Sequence, residues 1–173
     1  MAHGGMLIVV DQPESEFVAE TLNFKYRSSK MDYSWYLLRD YMVTLARIRL
    51  ANDIEKKSHS LHLAKSLRER VREFADCIAQ LSAIDGAVVL SSRLELLGFG
   101  AEIIVKSELS HVWFADSEKE VAIDNFGTRH RSAFRLVKTS PTYTVFVISQ
   151  DGALKIVKRV NDRVCVWDEL GFD

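Results

Sequence analysis

The chain has 173 residues, of which 47% are hydrophobic and 27% charged, and its formal net charge is −1. That length suits one domain, or one domain with a short appendage, and such a chain can bury roughly 70% of its unfolded surface without staples. The balanced charge argues against a general polyanion binder, and no nucleic-acid partner is expected, but a local basic pocket remains open.

GMLIVV (5–10) is a short β-branched apolar run and predicts a strand. Lying so near the first residue, it needs a neighbour to pair with, which points to a domain cut from a longer protein. Residues 11–30 are mixed and polar, with a turn at Asp11-Gln12-Pro13. From Asp32 the apolar residues Leu38, Tyr41, Met42, Leu45 and Ile48 recur at helical spacing to about Asn52, with Asp32 or Ser34 available as the N-cap. The polar stretch ANDIEKKSHS breaks the pattern. A second helix follows from about Ser60, where Leu67, Val71, Phe74, Ile78 and Leu81 form one apolar stripe that should pack on a sheet.

After Leu81 the period falls to two. DGAVVL and LELLGFGAEIIV (94–105) read as adjacent strands joined by Ser91-Ser92-Arg93. HVWFA (111–115) is a short strand or a loop, and 116–126 reads as loop. SAFRLVK (132–138) reads as helix, stopped by Ser140-Pro141. TYTVFVIS (142–149) is strongly β, and ALKIVKRV with RVCVWD predicts a hairpin across Asn161-Asp162. The expected fold class is α/β (α+β), a central mixed β-sheet flanked by helices. Residues 1–30 form the N-terminal strand and connecting segment, and 31–173 the main domain.

Cys77 and Cys165 sit in apolar patterns and read as reduced core residues. No zinc spacing is present. No apolar run reaches the roughly 18–20 residues that span a bilayer, and no signal peptide is visible. The expected location is therefore cytoplasmic. His111 reads as a packed ring, and His59 and His62 as caps of a helix start. His3 lies near the terminus, and no pair of histidines has metal-site spacing. Ser107 and Ser149 have no His and Asp near them to suggest a hydrolase triad.

Two stretches carry chemistry. GTRHRSA (127–133) places Gly127 at a tight turn and Thr128 at a cap before a short helix. A helix start offers free N–H groups and partial positive charge. With Arg129, His130 and Arg131 it suits phosphate, and a solvated charged loop is the alternative. IDGAVVL (84–90) raises Asp85, but Asp-Gly is also an ordinary turn signal. The tripeptide recurs at Asp151-Gly152-Ala153, where it reads as a turn between antiparallel strands.

Taken together, Asp85-Gly86-Ala87 at a strand start, Gly127-Thr128-Arg129-His130-Arg131 at a helix start, and then the serine-bearing strand VFVISQ resemble the diadenylate cyclase (DAC, DisA_N) domain. The resemblance covers about residues 60–168. The opening HGGMLIVV resembles the branch in which this domain follows an N-terminal sensor-like region. The family condenses two ATP molecules into cyclic di-AMP and releases two pyrophosphates. It does so across a face-to-face homodimer, assisted by Mg²⁺ or Mn²⁺, and higher oligomers remain open. The resemblance implies that Asp85 binds the metal beside the attacking 3′-hydroxyl. It implies that Gly86 and Ala87 line the nucleotide with backbone, and that Thr128, Arg129, His130 and Arg131 hold the triphosphate. Ser149 would touch phosphate from the following strand. Where other members carry a Leu-Pro-like or more polar stretch, this chain has LGFGAEIIV. That departure leaves the adenine contacts open, with Leu97, Gly98, Phe99 and Gly100, on to Glu102, as the candidates. A nucleotide-binding sensor module without turnover is the competing reading, and a structural domain presenting the helix at 61–82 to a partner is a third.

Overall fold

The computed structural model describes residues 4–28, 34–50 and 54–168. Asp32, Asn52 and His3 lie outside those residues. In chain order the elements are β1 (Gly5–Val10), α1 (Glu16–Thr21), β2 (Leu22–Arg27), α2 (Ser34–Leu50), α3 (Ile54–Leu81), β3 (Ala87–Ser91) and β4 (Leu96–Ile103). They continue with β5 (His111–Phe114), β6 (Glu120–Ala122), a single 3-10 turn at Ile123–Asn125, α4 (Thr128–Thr139), β7 (Tyr143–Ile148), β8 (Leu154–Val160) and β9 (Arg163–Trp167).

The described strands form one mixed sheet of nine, ordered β2-β4-β3-β1-β7-β8-β9-β5-β6. β1 pairs in parallel with β3 and antiparallel with β7, so it sits in the middle of the sheet. The α+β expectation of a mixed sheet flanked by helices is met. α4 covers one face, touching β4, β7, β8 and β9. Phe134, Leu136 and Val137 of α4 are fully buried there with Ile8, Val10, Val145 and Val147. On the opposite face Ile78 and Leu81, from the end of α3, pack on Val88, Leu90 and Leu96. β3 is buried on both faces, which is why AVVLS reads as a continuous apolar run rather than an alternation.

Several expectations are corrected. Residues 11–30, read as polar connection, carry α1 and β2. β2 is an edge strand paired only with β4 among the described strands, and Asn23, Lys25, Tyr26 and Arg27 are exposed, so its pattern looks like loop. α1 is anchored by the Thr21 Oγ1 and Tyr143 hydroxyls, 2.6 Å apart and buried. The supposed break at 51–60 is mostly helix, because α3 begins at Ile54. His59 and His62 therefore lie inside α3 on exposed positions and are not caps. The α3 stripe does not all face the sheet: α3 packs along α2, and only its end reaches β-strand residues. Cys77, on an uncovered flank of α3, is exposed, and Cys165 is half-buried with its thiol pushed up by burial. His111 is exposed, because its neighbour Val112 takes the inward position on β5; the His111 ring bonds Ser110 Oγ at 2.9 Å. Residues 116–126 hold β6 and the 3-10 turn rather than loop alone. The β8–β9 turn at Asn161 (φ 47°) and Asp162 (φ 64°) has both residues left-handed, as a two-residue hairpin requires.

Candidate nucleotide site

The start of β3, the end of β7, the first residues of β1 and the N-terminus of α4 converge at one end of the sheet. Two adjoining hollows lie there. One, of about 250 Å³, is lined by Met6, Asp85, Gly86, Ala87, Ala101, Glu102, Ile103, Thr128, Arg129 and Ser132. The other, of about 690 Å³, is lined by Gly127, Thr128, Arg129, His130, Val147, Ile148, Ser149, Gln150 and Asp151. Thr128 and Arg129 belong to both.

Asp85 is held by the backbone behind it. Gly86 has φ +107° and Gly100 has φ +62°. A Cβ on Gly86 would lie 2.6 Å from the Gly100 carbonyl carbon and 2.8 Å from its Cα. The strands at this point are so close that only glycine fits, and only glycine readily adopts the backbone angle. This approach brings the β3 entry against β4 and leaves Asp85 exposed on the rim. Asp85, in the bend ahead of β3, and Glu102, on β4, therefore border the same hollow.

α4 supplies the cationic side. Gly127 is its N-cap and makes no side-chain cap bond, while its carbonyl accepts the Arg131 N–H at 3.1 Å. No acidic residue sits in the first turn. The first N–H groups of a helix have no intrahelical acceptors, so this end presents donors and positive potential to the hollow. Arg129 is exposed toward it, whereas Arg131 leans on Asp124, 4.0 Å from its carboxylate, and lines neither hollow.

His130 is half-buried among Phe126 and Phe134, with ring centroids 5.9 and 6.3 Å away. Burial lowers its pKa below 6.5, and the Lys155 ammonium lowers it further, against weaker pulls from Asp168 and Asp151. Its Nε2 is buried with no hydrogen-bond partner among the described residues. A neutral ring with an idle polar atom beside a cationic helix start is a costly arrangement for stability alone.

Asp151 keeps the turn role expected of it, since its Oδ1 accepts the Ala153 N–H at 3.2 Å within the β7–β8 turn. It nonetheless lines the larger hollow beside Ser149. The 97–100 stretch divides. Gly100 backs Gly86, but Leu97 borders a separate cavity of about 490 Å³ with Asp11, Arg27 and Arg93. Phe99 stacks on Tyr26 with centroids 4.8 Å apart, and Gly98 is pressed under Phe24.

Sequence reasoning missed the contribution of β1. Gly4 is buried, and a Cβ there would lie 2.8 Å from the Ile148 carbonyl and 2.9 Å from Arg129 Nη1. Its missing side chain leaves the space that the guanidinium occupies. Met6 and Ser132 also line the Asp85 hollow. The Gly4-Gly5 doublet ahead of the strand was the available signal.

No curated protein and no solved structure matches the chain. A protein-family model does: the DAC model, described as the nucleotide-binding domain of the DisA bacterial checkpoint controller, matches residues 2–161. With that span and with the Asp-Gly-Ala and Gly-Thr-Arg-His-Arg segments meeting at one end of the sheet, the chain belongs to the DAC family of diadenylate cyclase-type nucleotide-binding domains.

Proposed function

We propose that this chain is a diadenylate cyclase, a nucleotidyltransferase that condenses two ATP molecules into cyclic di-AMP and releases two pyrophosphates. The observation carrying this reading is the shared hollow in which the Asp85 carboxylate faces the open N-terminus of α4 and Arg129. Phosphoryl transfer depends mostly on positioning and charge stabilisation, and this arrangement offers both.

The donor set suits a divalent ion held partly by substrate. Asp85 and Glu102 border one hollow, and no cluster of three or more His, Cys, Asp or Glu is present among the described residues. Mg²⁺ is characteristically held by one or two carboxylates together with phosphates and water, and Mn²⁺ accepts the same ligands. Asp85 would hold it. When bound, the ion lowers the pKa of the attacking 3′-hydroxyl and offsets charge at the α-phosphate.

The remaining tasks fall to the chain. The α4 amides, the Thr128 hydroxyl and the Arg129 fork bind phosphate oxygens and offset the charge that develops on pyrophosphate. His130, kept neutral by burial, offers a ring donor without adding charge, and Ser149 supports the triphosphate from the flank; Arg131, turned to Asp124 outside both hollows, adds positive potential rather than a direct contact. Gly86 and Ala87 line the nucleotide with backbone, and adenine lies along the 97–102 stretch at its Gly100–Glu102 end. Each copy holds one ATP, so ring closure requires two copies face to face, and the symmetric product matches a two-fold pair. We place this chemistry in the cytoplasm.

The test is direct. Purified chain with ATP and Mn²⁺ yields cyclic di-AMP, identified by mass. Asp85→Asn lowers the rate by at least about 10²-fold with the fold intact, the scale of losing one charge-stabilising group. Unchanged turnover in that variant would remove Asp85 from the role. Calorimetric ATP binding without product at any protein concentration would favour the sensor reading.

A further inference from the structure

α2 has a second apolar stripe that faces away from α3. At 3.6 residues per turn, Leu37, Tyr41, Thr44 and Ile48 share one face, and all are buried or half-buried. Tyr36, Val43 and Leu50 lie on a second face roughly 130° round the helix, spaced by seven, and are 54%, 43% and 82% exposed. Met42 flanks them at 59% exposure. A helix apolar on two separate faces calls for two partners, and α3 is only one.

The outer stripe has coiled-coil spacing. With Tyr36, Val43 and Leu50 at the a positions, Arg39 and Ala46 fall at d, and Asp40 and Arg47 fall at e. Arg39 is folded over Tyr36, its guanidinium carbon 5.1 Å from the ring centroid, so its stem extends the apolar strip. In an antiparallel pair of like helices, e residues face e residues. Asp40 holds Arg39 of its own helix through Oδ1, at 3.0 and 3.2 Å; in the pair its carboxylate also meets Arg47 of the other copy, and the two-fold axis repeats the contact. A parallel arrangement would set Arg47 against Met42 and lose this match.

We propose that the outer face of α2 is covered by the α2 of a second copy, antiparallel, about a two-fold axis near the middle of the helix. This surface is separate from the nucleotide hollows and needs neither ATP nor the proposed chemistry.

The test is sedimentation velocity of the full chain, without nucleotide, over a wide concentration range. The wild-type chain shows a reversible dimer. Asp40→Arg and Arg47→Asp each weaken it by at least about tenfold, because like charges then face each other twice. The double variant carrying both changes restores the dimer. Val43→Glu abolishes it with helical circular dichroism unchanged, and the charge-reversal set decides the matter if that variant fails to fold. Restoration in the double variant requires the chain to meet its own α2, so it separates this pairing from a different protein on the same face. A wild-type monomer at every concentration, single reversals without effect, or a double variant no tighter than the singles would each overturn the proposal.

Discussion

Replacing Gly86 by alanine tests the geometry that presents Asp85. At φ +107° an L-residue is strained, at about 1–3 kcal/mol. The new Cβ would also sit 2.6–2.9 Å from Gly100 C, Gly100 Cα and Ala101 N. Those are backbone atoms of β4, so no rotamer relieves the contact and the strands must part, which adds about 1–3 kcal/mol of overpacking. The matched control is the glycine of the second Asp-Gly-Ala. Gly152 has φ +89° but nothing within 4 Å of its would-be Cβ, so Gly152→Ala carries the strain alone. Urea unfolding followed by circular dichroism should therefore show Gly86→Ala as the more destabilising change, by about 1–3 kcal/mol. Against a typical total of about 5–15 kcal/mol the variant still folds in the cold. In the proposed cyclase reaction its rate falls further than its stability, since displacing Asp85 by about 1 Å relative to Arg129 costs on the order of 10²-fold. Equal destabilisation by the two substitutions would show that β3 and β4 do not approach as closely as described here.

Other expectations follow from single contacts. Thr21→Val leaves the buried Tyr143 hydroxyl without its partner and should cost about 1–3 kcal/mol, while adding Tyr143→Phe should recover part of that loss; strictly additive denaturation energies would mean the two are uncoupled. His130 has a native pKa below 6.5, so the unfolded chain binds more protons in that window. Its contribution is full above about pH 6.5 and is lost as pH falls through the lowered native value. The wild-type chain should lose stability on acidification relative to His130→Phe, and a difference independent of pH would refute the burial of a neutral ring. Gly4→Val fills the space beside Arg129 Nη1 and should weaken ATP binding by about tenfold or more in calorimetry, the scale of one charge-assisted hydrogen bond. Unaltered affinity would detach Gly4 from the site.

The elements legible in the sequence were those whose burial shapes their pattern. β1, β3 and β7 are packed on at least one face, and their β-branched runs announce them. β2 was hidden because an edge strand with four exposed residues has little apolar alternation, and α1 because six residues hold too few turns to show a period. The early part of α3 was taken for a break because Lys57, Ser58 and His59 are exposed, so their polarity says nothing about backbone state. The site was legible where local chemistry is dense, at Asp85 and at 127–131. Met6 lines the hollow and Gly4 backs Arg129 because β1 pairs with β3 and with β7, both distant in the chain, and no local pattern encodes those pairings.

The two Asp-Gly-Ala copies end up nearer each other than their sequence contexts suggest. One borders each hollow, and the hollows share Thr128 and Arg129, so both aspartates flank the start of α4. What separates them is the work each carboxylate already does. Asp151 accepts a hydrogen bond from Ala153 inside its own turn, and its charge also pulls against the lowered pKa of His130. The Asp85 carboxylate makes no hydrogen bond or ion pair among the described residues, and it stands on a backbone fixed by two apposed glycines. A carboxylate that is exposed, rigidly placed and unengaged beside a cationic helix start is available to a metal and a phosphate, whereas one spent on a turn is available only if the turn opens. Asp151→Asn keeps the side-chain oxygen that caps the turn and removes the charge, so it should leave turnover close to wild type while Asp85→Asn does not. A comparable loss in both would mean that the two turns act together on the bound nucleotide.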